Sequence, residues 1–149
     1  MEAARTSKAA CWGVRVAYAA VFVLNVTCAL SFIVDPAPFA KGFELSGVPG
    51  ETAVRGIAIA FLMWNATYPA VIASPTRFVP LAVVVLVQQT IGLVGETLLL
   101  LSLPAGHDVL ASSIIRFVVF DAGGLVAMAA ACTWLLLSLR RKMVHSLRE

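Results

Sequence analysis

The stretch AVRGIAIAFLMWNATYPAVI, residues 53–72, is apolar through most of its length, yet it carries Arg55 near one end and Asn65 near its middle. Its length is that at which an α-helix, rising about 1.5 Å per residue, crosses a hydrocarbon core of about 30 Å. Three other runs of the chain read the same way. The four expected spans are residues 12–34, closed by DPAP; 53–73, closed by SPTR; 78–103, closed by PAGHD; and 109–139, closed by RRK. Proline and glycine are expected in the connections, where helix breakers belong. The fourth run is longer than the hydrocarbon requires, so it either tilts or extends past the membrane surface.

Composition agrees with this reading. The 149 residues are 60% hydrophobic and 13% charged, where soluble domains run nearer about 45–50% and about 25%. A chain of this length cannot hide such an excess in its own core, because a small domain leaves much of its surface in contact with solvent. The solvent is therefore lipid. The first run is too long for the apolar part of a signal peptide and lacks a small-x-small cleavage site, so it is expected to remain as a span.

Charge placement orients the bundle. Arg5, Lys8 and Arg15 lie at the N-terminal end, Arg77 in the second connection, and Arg140, Arg141, Lys142 and Arg148 in the C-terminal tail. The first and third connections carry Asp35, Glu44, Glu51 and Asp108 against a lone Lys41. Positive residues favour the cytoplasmic side. The expected fold is thus a single all-α domain over residues 1–149: an antiparallel, up-down, four-helix integral membrane bundle with both termini cytoplasmic. In the first connection, Phe39, Phe43 and Leu45 either dip into the outer interface or lie over the bundle as a cap.

Four ionisable residues fall inside the expected spans: Arg55, Glu96, Arg116 and Asp121. Such groups are costly in lipid and face the bundle interior or a wet cavity. Glu96 and Arg116 each lie seven residues from the outer end of their span, roughly 10 Å deep, on consecutive antiparallel helices. That placement predicts an ion pair. Asp121 points away from Arg116 and needs a partner on another helix, Arg55 or an amide. The quartet is formally neutral, which low dielectric tolerates far better than an unbalanced charge. Beneath it lie Asn25, Asn65, Tyr68, Gln88 and Gln89. Gln89 shares a helix face with Glu96, seven residues on, and Gly92 and Gly95 near that face let a neighbour or ligand come close.

The charges either pair across helices and only fix register, or line a pocket in the outer half of the bundle. In the second case Arg55 and Arg116 contact an anion, Glu96 and Asp121 serve as counter-charges or proton acceptors, and Gln88, Gln89 and Asn65 form a neutral hydrogen-bonding wall. Other chemistry finds little support. No histidine falls in a span, which argues against a bis-histidine haem. No His/Cys/Asp/Glu spacing suits zinc or iron, no phosphate-binding glycine loop appears, and Cys11, Cys28 and Cys132 form no CxxC. No cofactor or metal is expected. Without a basic patch interleaved with aromatics, no nucleic-acid partner is expected either.

The pattern GVRVAYAAVF, a span closed by DP, a loop, then AVRGIAIAF, resembles the small bacterial four-helix membrane proteins grouped as DoxX-like. The resemblance covers mainly the first half of the chain. It implies a four-helix protein of the bacterial cytoplasmic (inner) membrane and carries no activity with it. The expected role is to bind or transport a small amphipathic or anionic molecule. A membrane-embedded enzyme using a Glu or Asp acid-base on a lipid-like substrate, and a structural subunit of a membrane complex, are the alternatives. Membrane lipids are the expected surroundings. Small residues four apart (Gly56 and Ala60; Gly123, Ala127 and Ala131) suit tight contact within the bundle or in a homo-oligomer.

Overall fold

The computed structural model describes the backbone of residues 2–146 and the side chains of residues 8–144. Its elements are α1 (Glu2–Val34), α2 (Pro36–Gly42), α3 (Gly47–Asn65), α4 (Tyr68–Ala73), α5 (Val79–Ser102) and α6 (Asp108–Ser146). The segments Lys8–Val34, Gly47–Ala73, Val79–Ser102 and Asp108–Val144 are long and apolar enough to cross a membrane. The chain is an all-helical, multi-pass membrane protein.

The second span is not one helix. It runs through α3, stops at Asn65 and resumes at Tyr68. Pro69, in the first turn of α4, has no N–H to give the carbonyl of Asn65, so an unbroken helix would lose that bond and clash there. Several polar groups around the break find local partners. Ala66 N–H donates to Met63 O at 3.3 Å, Thr67 Oγ1 to Trp64 O at 3.1 Å, and Asn65 Nδ2 to Phe61 O at 2.8 Å. Proline is therefore not confined to the connections. The break also falls where irregular backbone is tolerated in a membrane, next to a polar cavity.

Packing leaves a gap on one side. α1 packs on α3, α4 and α6, α6 packs on α5, and α4 touches α5. α3 makes no comparable contact with α5, and it meets α6 through the rings of Phe61 and Phe117, 6.1 Å apart. The inward residues of each span follow spacings of three and four, the period of a helix seam. On α1 the row is Val14, Tyr18, Val21, Asn25, Ala29 and Phe32, all buried except half-buried Asn25. On α5 it is Ala82, Val85, Gln89, Gly92 and Glu96.

The α1 row is apolar at both ends and polar in the middle, and the α5 row turns polar from Gln89 onward, so the core is divided. One apolar cluster, around Tyr18, Tyr68, Val85, Met128 and Leu135, lies toward the chain termini. The other, around Ala29, Phe32, Ala40, Val54 and Ala58, lies toward the long first connection. Here α2 covers the bundle: Phe39 packs 4.5 Å from Phe32, and Phe43 stacks on Phe117 at 6.2 Å. Of the two arrangements expected for this connection, these rings adopt the cap, while Leu45 stays 40% exposed.

A clamp holds the cap down. Glu44, at φ 56°, occupies the left-handed region that a non-glycine residue enters only at a cost of about 1–2 kcal/mol. In that conformation its carboxylate accepts a bond from His107 Nδ1 and, at 3.1 Å, one from Leu110 N–H. Leu110 is in the first turn of α6, where amides have no intrahelical partner. These hydrogen bonds, that from His107 first, hold the Glu44 carboxyl below its ordinary value. Neither Glu44 nor His107 was marked by sequence spacing, because they lie in different connections.

Two predictions follow from the packing. Phe32 is 2% exposed and central to the cluster toward the first connection. Phe32→Ala should cost about 2–3 kcal/mol in detergent unfolding, somewhat below the range for water-soluble cores because lipid leaves mainly the packing part. Leu98→Ala, on the outer face, should stay within about 0.5 kcal/mol. For the clamp, a lowered carboxyl value means that its contribution is present above the ordinary value and is lost as pH falls through the lowered one. Amide exchange at Leu110, corrected for its intrinsic rate, should lose protection on acidification below about pH 4. In Glu44→Gln that acid-dependent step should be absent.

Candidate functional site: a polar cavity at the break in the second span

Between the two apolar clusters lies a cavity with about 40 Å³ of space for the centres of water molecules. One water needs about 10–15 Å³ on that measure, so the space holds a few waters or a small polar head. Every span contributes. α1 brings Asn25; α3 and α4 bring Phe61, Trp64, Asn65 and Tyr68 from either side of the break. α5 brings Gln88, Gln89, Gly92 and Glu96, and α6 brings Phe117 and Asp121. Gln89 lies ten residues into α5, about 15 Å from one end and about 20 Å from the other. The cavity is thus centred near mid-depth, with Glu96 toward the end of the bundle that carries the long first connection.

A hydrogen-bond chain crosses it. Tyr68 Oη donates to Gln89 Oε1 at 3.4 Å, and Gln89 Nε2 donates to Asp121 Oδ1 at 2.8 Å. Of the two partners expected for Asp121, it is the amide that is used. Gly92 makes room for this bond: a Cβ there would sit 2.8 Å from Asp121 Oδ2. Asn25 Nδ2 donates to Asn65 Oδ1 at 3.5 Å, joining α1 to the end of α3. Glu96 Oε2 and Gln88 Oε1 are buried without a hydrogen-bond partner.

The arginines lie elsewhere. The expected Glu96–Arg116 ion pair is not formed: Arg116 is exposed and donates to Ser113 Oγ on its own helix at 3.0 Å. Matching depth does not bring the two together, because the angular position of Arg116 turns it from the seam occupied by Phe117 and Asp121. Arg55 is 46% exposed, 3.7 Å from Glu51 one turn before it. Its Nε donates to Ile33 O at 3.5 Å, in the last turn of α1, where carbonyls lack helical partners. Arg55 therefore serves a helix end. Of the seven candidate residues, Asn65, Gln88, Gln89, Glu96 and Asp121 share the cavity, and Arg55 and Arg116 do not line it.

Sequence reading passed over Phe61, Trp64 and Phe117, which wall the cavity; aromatic residues in an apolar span carry no signal that separates wall from core. Nothing lies within 4 Å of a Cβ placed at Gly56, Gly95 or Gly123, whereas Gly124 faces Val21 and Gln89.

No protein-family model matches the chain, and no curated protein and no solved structure matches it. Among the described residues no group of three or more His, Cys, Asp and Glu is placed to hold a metal ion.

The glycines give an internally controlled test. Gly92→Ala must displace the Asp121 carboxyl and should destabilise the protein by about 1–3 kcal/mol. Gly56→Ala and Gly95→Ala meet open space and should be neutral, or stabilise by up to about 1 kcal/mol through helix propensity. Thermal or denaturant unfolding in one detergent compares all three.

Proposed function

We propose that this protein binds, or helps to move, a small amphipathic molecule at the polar cavity in the middle of its bundle, within the bacterial inner membrane. Both termini lie in the cytoplasm on this reading. Its support is the positive-inside rule, with Arg77, Arg140, Arg141 and Lys142 at one end of the bundle and Asp35, Glu44, Glu51 and Asp108 at the other. A four-span bundle is also what the DoxX-like resemblance implies.

The observation that carries the reading is convergence. Polar side chains from all four spans meet in one cavity, beside a break in a helix and against a glycine. Polar groups in a membrane interior are expensive, and where they gather around a cavity they mark a ligand or ion site. The gap between α3 and α5 gives an apolar body a place to lie while its polar end reaches inward. An anionic ligand is no longer favoured, because neither Arg55 nor Arg116 lines the cavity.

Native mass spectrometry of the purified protein tests this. The wild type, Arg55→Gln and Arg116→Gln should retain the same discrete small-molecule species. Gly92→Leu and Asn65→Leu, which fill the cavity, should lose it while keeping a cooperative unfolding transition. A species retained by the filled variants, or only bulk lipid on every form, would overturn the reading.

A further inference from the structure

The balance of donors and acceptors in the cavity bears on the charge of what it binds, and so rests on the binding reading above. Four of its polar side chains spend donors inside the protein, whereas the Gln88 amide and the Trp64 indole N–H make no hydrogen bond there. Tyr68 donates to Gln89, Gln89 to Asp121, Asn25 to Asn65, and Asn65 to Phe61 O. Two acceptors are left over at its wall. Glu96 Oε2 and Gln88 Oε1 are buried and unpartnered. An ionised carboxylate can only accept, so a ligand meeting Glu96 in that form must donate.

Charge points the same way. Glu96 and Asp121 both line the cavity, and among the described residues no lysine, arginine or histidine does. Two carboxyl groups without a fixed cation in a low-dielectric space are neutralised either by protons or by a cation that enters. Four aromatic rings, of Phe61, Trp64, Tyr68 and Phe117, stand around them. The faces of such rings attract cations, most strongly where water is excluded. Trp64 is also 40% exposed, so its ring borders both the cavity and the surface beside the break.

We propose that the ligand is a small organic cation: a primary or secondary ammonium on an apolar body. Its N–H groups bond Glu96 and Gln88 with the Asp121 carboxyl nearby, and its apolar body lies against the aromatic wall. A free amine and an aminolipid head group share this chemistry. The mid-depth position, about 15–20 Å from either end of α5, favours the free amine.

The test is titration calorimetry of the full chain in phosphatidylcholine nanodiscs, with benzylammonium, benzyl alcohol and benzoate as probes of one shape and three charges. Empty nanodiscs give the background. Benzylammonium should bind at least about tenfold more tightly than benzyl alcohol, and benzoate should bind most weakly. Glu96→Gln and Asp121→Asn should each remove most of that preference while leaving the alcohol's affinity nearly unchanged. Gln88→Leu keeps both carboxyls and should weaken benzylammonium while preserving its order over benzoate, a result independent of whether the carboxyl variants fold.

Equal affinity for ammonium and alcohol, or tightest binding of benzoate, would overturn the cation. The cavity reading would survive if Gly92→Leu still abolished that binding. No binding of any probe above the empty nanodiscs would also overturn the cation, and the cavity reading would then fall only if native mass spectrometry found no discrete species. Loss of benzylammonium binding when phosphatidylethanolamine replaces part of the lipid would support the shared ammonium chemistry and assign its source to a head group. Unchanged binding would support the free amine.

Discussion

The hydrogen bond from Gln89 on α5 to Asp121 on α6 governs the middle of this bundle. It is 2.8 Å long and forms because Gly92 presents no Cβ to the carboxyl. Hydrogen bonds between helices in a membrane are worth about 0.6–2 kcal/mol, so the bond is a modest stabiliser. Its larger effect is positional. It fixes Asp121 against α5, turns the Gln89 carbonyl toward Tyr68, and thereby ties the fragment beyond the helix break to the two later spans. With α3 seated on α1 and not on α5, that tie through α4 is what joins the second span to the third.

The ionisable residues divide by task. Arg55 donates to a carbonyl in the last turn of α1, and Arg15 Nη2 donates to Ala73 O at the end of α4, at 3.1 Å. Glu44 accepts from an amide in the first turn of α6. Each serves a helix end with unmatched backbone groups, and each has the sign that suits the helix dipole: cations at C-termini, an anion at an N-terminus. Glu96 and Asp121 have no such duty. They are held at the cavity, away from the arginines that a simple neutral quartet would have brought to them.

Much of the architecture could be read from the chain because membrane spans advertise themselves by length and hydropathy. The polar layer was legible too. Asn25, Asn65, Gln89, Glu96 and Asp121 occur in apolar surroundings, and Gln89, Gly92 and Glu96 keep the seam spacing of α5. The errors came from quantities a linear reading does not carry. Depth alone suggested a Glu96–Arg116 pair, but pairing also needs the right angle about the helix axis, and Arg116 is turned away. Pro69 was hidden in an apolar run whose hydropathy stays high across the break. The Glu44–His107 contact joins residues 63 apart in sequence, and no local pattern encodes it.

A bundle selected only for stability would have little reason to keep this middle layer. An unbroken second span would regain its helical bonds. Apolar residues at Asn25, Gln89 and Asp121 would join the two apolar clusters into one, as isosteric apolar replacement of buried charges often does without loss. Instead the proline break, the glycine that admits a carboxyl and an unpartnered Glu96 oxygen all occur beside the same small space. Each departs from a rule that the rest of the chain obeys. Such departures are expected at functional sites, where stability lost locally is offset elsewhere. Here the two apolar clusters supply that offset, one on each side of the layer, and their separation is what gives the cavity its walls.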